Sequence, residues 1–516
     1  MDPSRTRGRR APFLRRTTVL AVAALAASLA LAVPTADGAV GRGSRSTQEP
    51  GVTVSLWEWN WRSVARECTD VLGPAGYDGV QVAPPQNSLK RTALGNGSDT
   101  VLHPWWEVYQ AVSYDLTSRM GTEAQFKKMV KTCRRAGVKV YVDAVINHTT
   151  GQGSTSYGGV DYTPYRYDGL YGPEDFHAPS GECPSSDGGI QDFNAKAQVW
   201  NCNLVGLEDL RTGSDDVQAE IAGYLNKLIR YGVSGFRVDA AKHMPPRDLD
   251  AIYSRLNRTK DGVKPYWSLE VLPGGPGVLR PEAYLRSGDV LGVDGARQMQ
   301  QAFKSYTADH TGSLSSLEVF GAAAGLTPSG KTVSFVTNHD SERNDAGDYL
   351  NYKDGATYVL AHQWLLADGY GSPQVYSSFA WVTKDDSPPA RADGRITDAV
   401  CGQGWTCVHR DRGIVAMVGW HDYVGAAKRV NFWTDDANVV AFSKGNRGWV
   451  ALNNGTAPKE VRVQTGLPGG RYCDVVSGAE QAGGCTGTVV TVGSTGFATV
   501  TVPAKGVVAV TRASRL

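Results

Sequence analysis

The run Gly235-Phe236-Arg237-Val238-Asp239-Ala240-Ala241-Lys242-His243 begins as a β-strand and ends as a cluster of ionisable groups. Phe236 and Val238 alternate with Arg237 and Asp239, and residues two apart on a strand share a side. An arginine and an aspartate are poor occupants of a buried strand unless they pair with each other. Lys242 and His243 follow where the strand should stop. Charges gathered at the C-terminal end of a strand are where parallel α/β folds assemble their sites. A solvated Arg–Asp–Lys surface is the plain alternative, and the rest of the chain decides between the two.

Working outward, the same grammar recurs. The segment 138–146 (VKVYVDAVI) is an apolar strand that runs into Asn147 and His148. The segment 266–272 (YWSLEVL) is a strand carrying Glu270, and 331–337 runs into Asn338, His339 and Asp340. Earlier strands are predicted at 52–57 and at 79–83, the second stopped by Pro84 and Pro85. Between them lie helical patterns at 63–72, 122–136 (Thr122 at the N-cap, Gly137 at the close), 215–231 (ended by Gly232) and 358–366. Strand–helix alternation of this kind predicts a parallel sheet. Several strands contributing chemistry to one end predict a (β/α)8 TIM barrel, with no G-x-G-x-x-G turn to suggest a dinucleotide site.

Two segments fall outside the alternation. Residues 149–208 are rich in Gly, Ser, Tyr and Asp and too long for a plain loop, so an inserted small domain after strand 3 is expected, stapled by Cys183 and Cys202. From 426 onward, short alternating runs with Gly/Pro turns predict a C-terminal antiparallel β-sandwich over 426–516, leaving the barrel 40–425.

The N-terminus reads as a signal peptide: six arginines, an apolar run from Val19 to Val33, then small residues up to about position 39. The run is short for a membrane anchor, and nothing else in the sequence approaches a span. Loss of residues 1–39 removes six arginines and two aspartates and moves the formal charge from +2 to −2. A near-neutral exported protein is a poor partner for nucleic acid or an anionic membrane. Eight cysteines in an exported chain suggest four disulfides, and no C-x-x-C or Cys/His spacing suggests a metal site. Eight cysteines allow 105 pairings. Sequential pairing is natural for the short spans 183–202, 401–407 and 473–485, which leaves 68 with 133. Thirteen Trp and twenty-two Tyr in such a protein suit uncharged polar ligands with faces to stack on, such as sugars.

Three carboxylates, Asp239, Glu270 and Asp340, stand at the ends of three strands and can meet at one mouth. Cleavage of a glycosidic bond with retention needs a carboxylate nucleophile and a protonated carboxylic acid roughly 5–5.5 Å apart. Crowding like charges raises at least one pKa and keeps an acid protonated near neutrality. Arg237 would hold Asp239 ionised and oriented. Any one of these carboxylates alone would more often be an ion pair or a solvated strand end; their recurrence together is what points to chemistry.

Four segments in order, 143–148 (DAVINH), 235–243 (GFRVDAAKH), 268–272 (SLEVL) and 335–340 (FVTNHD), give the chain a close resemblance to the secreted α-amylases, in the subgroup of chloride-activated enzymes and their bacterial relatives. The segment 204–210 (LVGLEDL) is similar to a fifth family motif, and 104–110 (PWWEVYQ) matches the subgroup. The resemblance runs from about residue 50 to the C-terminus. It implies hydrolysis of α-1,4-glucosidic bonds in starch-type α-glucans, with Asp239 as nucleophile, Glu270 as general acid/base and Asp340 as transition-state stabiliser. Trp105, Trp106 and Tyr109 would stack on glucose rings, and His148 and His339 would donate hydrogen bonds around the cleaved residue. Lys242 and His243 would contact the leaving-group side. Calcium is the implied cofactor, held by Asn147, Asp209 and the main-chain carbonyl of His243, oxygen donors that suit a hard cation. The four sequential disulfides agree with the subgroup's pattern.

The chain departs from the chloride-activated members in one respect. Arg237 and Asn338 match two chloride ligands, but Gln374 stands where the third, basic ligand is expected, and a neutral amide brings no positive charge. Chloride-independent activity is therefore expected. The Gly-rich loop of those enzymes is also not matched by 341–347 (SERNDAG). No further starch-binding module follows the sandwich in this sequence, so weak adsorption to granular starch is expected, as is a monomer. A 4-α-glucanotransferase with the same triad and a non-catalytic carbohydrate-binding relative are the competing readings. The intact triad argues against the second.

Overall fold

The computed structural model describes residues 50–95, 99–304, 313–344, 349–481 and 484–516, so the expected signal peptide lies outside the described residues. Eight parallel strands close into a barrel: β1 Thr53–Leu56, β2 Gly79–Val82, β3 Lys139–Ala144, β4 Gly235–Val238, β5 Tyr266–Leu269, β6 Asp289–Leu291, β7 Thr332–Phe335 and β8 Ser372–Ser377. Each strand pairs with its sequence neighbours, and β8 closes on β1 with Thr53 opposite Gln374 and Leu56 opposite Ser377. All four positions of β1, β4 and β7 are buried, as expected when a barrel interior and a ring of helices cover both faces. β6 and β8 have no legible strand signal: β6 is three residues long, and β8 carries Pro373 near its start.

The helices start and stop where local chemistry directs. Helix α1 (Trp61–Glu67) is capped by Asn60, whose Oδ1 accepts the Ser63 N–H at 2.9 Å, and continues as a π-turn over Cys68–Leu72. The helix expected at 63–72 is thus real but changes its hydrogen-bond pattern at the cysteine. Helix α2 (Glu123–Arg135) opens on a capping box between Thr122 and Gln125. Helix α3 (Asp215–Tyr231) is capped by Ser214 and ends at Gly232, whose φ of 114° suits glycine. The Cys68–Cys133 disulfide ties the π-turn to α2.

After β3 the chain leaves the barrel and returns at Asp209. This excursion is irregular, with a 3-10 turn (Pro173–Asp175), one short α-helix (Lys196–Asn201) and the Cys183–Cys202 disulfide. Its ends meet: His148 bridges Asp209, and Phe176 bridges Leu210. At the C-terminal end, two four-stranded antiparallel sheets face each other. One has the order β9 (Arg429–Thr434), β10 (Val439–Lys444), β11 (Gly448–Asn453), β16 (Gly506–Thr511). The other has the order β12 (Lys459–Gln464), β15 (Phe497–Val502), β14 (Val489–Val492), β13 (Gly470–Cys473). Trp449, Val461, Tyr472, Val500 and Val510 fill the space between them. The opposite face of the first sheet, with Phe442, Val450 and Leu452, joins the barrel core beside helices α4 (Ala356–Asp368) and α5 (Arg412–Val424). Arg429 donates to Asp368 at 2.7 Å and Trp420 Nε1 to the Val510 carbonyl at 3.1 Å, so polar bonds back the apolar seam. The remaining disulfides are Cys401–Cys407 and Cys473–Cys485, giving the four sequential pairs. Among the described residues no helix is long and apolar enough to cross a membrane.

Candidate active site

Strand register brings the carboxylates together. Asp143, at the end of β3, stands opposite Arg237 on β4, which stands opposite Ser268 on β5. The ladder continues past the strand ends: Asp239 N–H donates to the Ala144 carbonyl at 3.0 Å and Glu270 N–H to Val238 at 3.0 Å. Asp239 and Glu270 therefore sit side by side above Arg237. The Arg237 guanidinium, 3% exposed, gives Nη1 to Asp143 Oδ1 (2.7 Å) and Asp239 Oδ1 (2.6 Å), and gives Nη2 to Glu270 Oε1. The second Glu270 oxygen accepts the Ala240 N–H at 2.8 Å. Ala240 adopts a left-handed φ of 49°, a conformation that costs a non-glycine residue energy and here turns its N–H toward Glu270.

These bonds set the electrostatics. Burial pushes Glu270 up to about 8, with the charges of Asp239 and Asp340 adding to it and Arg237 opposing. Burial likewise pushes Asp143 up to about 7 against the pull of Arg237. Asp143 also accepts the Tyr109 hydroxyl at 2.9 Å, and that hydroxyl accepts Trp57 Nε1 at 3.2 Å. His339 is stacked between Trp57 (centroids 5.1 Å apart) and Tyr109 (4.9 Å), and its Nε2 lies 3.2 Å from Asp340 Oδ2. Burial and the charge of Arg237 hold His339 well below the usual histidine range, so the ring is neutral.

Trp105, Trp106, Tyr109, His148, Asp239, Lys242, His243, Glu270, His339 and Asp340 all line one cleft of about 410 Å³. Arg237 lies beneath it, and Asn147 and Asp209 lie outside it. Trp105 is largely buried, with Nε1 bonded to the Lys384 carbonyl at 2.7 Å; Trp106 is more open, with Nε1 3.2 Å from Asp385 Oδ1. His148 directs Nε2 to the Tyr109 carbonyl at 3.0 Å, so this ring braces the aromatic turn as well as lining the cleft. His243 Nδ1 bonds the Val199 carbonyl at 3.0 Å, and burial lowers the ring to about 4. Lys242 Nζ reaches the Leu272 and Gly274 carbonyls at 3.1 and 3.0 Å.

The sequence pattern did not single out several cleft residues. Phe193, 49% exposed, and Leu272, 47% exposed, line the wall near Lys242. Trp57 supports His339 from the end of β1. An apolar side chain in an irregular insertion, or at a strand end, has no periodicity to announce it.

The expected cation ligands divide. Asn147 Nδ2 donates to Asp209 Oδ1 at 3.1 Å, while Asn147 Oδ1 is buried with no hydrogen-bond partner. Asp209 is 1% exposed, and burial pushes it up to about 7 despite a 2.6 Å contact with His177 Nδ1. A buried, unsatisfied amide oxygen beside a buried carboxylate fits a hard cation. No three His, Cys, Asp or Glu side chains cluster as a metal centre among the described residues. That outcome is compatible with a set built from an amide, one carboxylate and carbonyls. Gln374 sits lower in the barrel, with Nε2 3.1 Å from Gln81 Oε1 and 3.4 Å from Thr53 Oγ1, and shares a space of about 20 Å³ with Arg237. Asn338 Oδ1 accepts the N–H and the hydroxyl of Ser341, both at 2.9 Å.

Fold and site together define a barrel enzyme with paired carboxylates in an aromatic cleft. Residues 105–264 match the family model "Alpha amylase, catalytic domain", and 431–513 match "Alpha amylase, C-terminal all-beta domain". The chain is 42% identical over 499 residues to an α-amylase of Streptomyces violaceus, covering 96% of this chain and 79% of that protein. It is 38% identical over 475 residues to an α-amylase of Tribolium castaneum, covering 89% and 93%. The crystal structure of α-amylase I from Eisenia fetida superposes with a TM-score of 0.83 at 35% identity, covering 90% of this chain and 98% of that one. A variant of the same Eisenia fetida enzyme in complex with maltohexaose matches equally well, with a TM-score of 0.83. The chain belongs to the α-amylase family.

Proposed function

We propose that this protein hydrolyses internal α-1,4-glucosidic bonds of starch, glycogen and related α-glucans with retention of configuration. The observation that carries the reading is the Arg237 fork. Adjacent nitrogens of one guanidinium hold Asp239 and Glu270 side by side, the close pairing of two carboxyl groups on which a retaining mechanism depends. Asp239, pinned to a cation, is the nucleophile. Glu270, raised by burial, keeps its proton at neutral pH and gives it to the leaving glycosidic oxygen; as a carboxylate it then takes a proton from the water that cleaves the glycosyl ester. Asp340, beside the neutral His339, binds sugar hydroxyls more tightly as the ring distorts. Trp105, Trp106 and Tyr109 offer faces to glucose rings, and Lys242 and His243 border the leaving-group side.

Calcium is proposed at Asn147, Asp209 and the His243 carbonyl. When bound, it supplies charge neutralisation for Asp209 and a cross-link between insertion and barrel. Activity is proposed to be chloride-independent, since Arg237 reaches Glu270 directly and Gln374 brings no charge. Four disulfides support an oxidising compartment, and an extracellular site of action and a monomeric state are proposed with it.

Incubation with soluble starch in the absence of added acceptor tests the activity. Release of reducing maltooligosaccharides that appear first as the α-anomer supports the proposal. Chain-length redistribution without new reducing ends would replace it with glucanotransfer.

A further inference from the structure

Arg119 lies between the short strand Ala111–Ser113 and α2, outside the cleft lining, with its side chain 0% exposed. Its donors converge on two separate segments. Nη1 donates to the Pro104 carbonyl at 2.8 Å and Nη2 to the His103 carbonyl at 3.3 Å, the two residues that lead into the turn Trp105–Tyr109. Nη2 also donates to Ser387 Oγ at 2.6 Å and Nε to the Gly394 carbonyl at 3.0 Å, both in the loop that follows β8. The same loop takes the Trp105 indole N–H on the Lys384 carbonyl and the Trp106 indole N–H on Asp385. Turn and loop are thus joined at the cleft face by two indoles and behind it by one guanidinium.

A guanidinium out of water needs counter-charge. Glu107 Oε2 lies 3.6 Å from Nη1; Glu58 Oε2 lies 3.9 Å from it, but burial pushes Glu58 up to about 8, so that acid keeps its proton at neutral pH. Both acids are fully buried. Glu107 is occupied by the Tyr157 hydroxyl at 2.7 Å and the Arg91 N–H at 2.7 Å, so it anchors Arg119 and the same turn at once. A fork with five fixed donors can serve four acceptors in two segments; an ammonium cannot reproduce that geometry.

We propose that Arg119 is a positioning residue for substrate binding: it clamps the Trp105–Trp106 turn to the loop after β8 and so sets the affinity of the aromatic wall for glucose units. The inference rests on the proposed stacking role of those tryptophans. It touches no reacting atom, so its contribution is to binding that is equal in ground and transition states, which appears in KM and leaves kcat in place.

The test is a double-mutant cycle on a maltooligosaccharide of fixed length. Arg119→Lys is combined with a Trp105→Ala/Trp106→Ala background, with near-UV circular dichroism to verify folding. Arg119→Lys should raise KM about tenfold in the parent with kcat within about twofold, and should add little on the background that lacks the wall. Ser387→Ala, which deletes one hydroxyl acceptor, should shift KM in the same direction by about two- to threefold and decides the matter if Arg119→Lys does not fold. Additive KM effects in the cycle, or a loss confined to kcat, would overturn the proposal. If the tryptophan variant itself left KM unchanged, the stacking role would fail first, and this inference with it.

Discussion

The environment of Glu270 makes a prediction that reads out twice. Its carboxyl is pushed up to about 8 by burial, from a usual value of 4.5. As general acid it must carry its proton, so about nine-tenths of the enzyme is competent at pH 7 and about one-tenth at pH 9, and kcat falls about tenfold per pH unit beyond the midpoint. The same shift bears on stability. The folded state binds this proton more tightly than the unfolded chain, so the stabilisation is fully present below about pH 4.5 and is lost as pH rises through about 8. The difference is worth at most about 5 kcal/mol, and less once solvent and neighbouring groups relax. Glu270→Gln keeps the volume and removes the titration, at the loss of one of the two N–H bonds that Glu270 accepts. It should cost about 10²–10⁴ in kcat while melting at a higher temperature than the parent at pH 8, with the advantage vanishing by pH 4. Saturating rates on a chromogenic maltooligosaccharide and calorimetric melts across pH 4–9 measure both. Asp143, also raised, is separated by Asp143→Asn, which should leave the alkaline limb in place. A rate that stays flat to pH 9.5, or a melting difference independent of pH, would refute the assignment of the limb to Glu270.

Chelation should lower the melting temperature, and calcium but not magnesium should restore it, by about 2.7 kcal/mol at a hundredfold excess over its dissociation constant. Asn147→Ala should abolish the calcium-dependent part, and a melt indifferent to chelation would remove the ion from the account. Initial rates in chloride-free and chloride-containing buffers of equal ionic strength should coincide; a several-fold gain with chloride would mean that an anion sits beside Arg237 in spite of Gln374. Gly235→Ala should destabilise by about 1–3 kcal/mol, because the added Cβ would lie 2.5 Å from the Tyr266 carbonyl on the neighbouring strand. Denaturant titration measures it, and an unchanged midpoint would show that β4 and β5 can part without cost.

The barrel and its carboxylates were legible because ionisable residues interrupt apolar strands, and few positions in a fold tolerate that. Asp239, Glu270, His339 and Asp340 each announce themselves in this way, and the structure gathers them in one cleft. Helix α3 is legible to the residue, with Gly232 marking its end, and the structure adds Ser214 as the cap at its start. Strands β6 and β8 were not, since three residues carry no period and Pro373 argues against a strand. Helix α5 escaped because it packs on both barrel and sandwich, so its apolar positions do not form one stripe. Arg119 escaped for another reason. In sequence it is an ordinary arginine before a Met-Gly turn, and its partners Ser387 and Gly394 lie 268 and 275 positions away. A bond to a backbone carbonyl also leaves no trace in the identity of the residue that provides it.

The disulfides bear on how the chain is made. Each cysteine pairs with the next one in sequence: 68 with 133, 183 with 202, 401 with 407, and 473 with 485. During synthesis or translocation from the N-terminus, each second cysteine therefore emerges when only its own partner is unpaired, provided the earlier bonds have closed, and no bond has to wait for a later thiol. A simple oxidant acting in order of emergence yields the native set, and disulfide reshuffling is required only when the whole chain is presented reduced at once. Oxidative refolding of the denatured, reduced protein is thus a harder problem than the one the chain meets as it emerges.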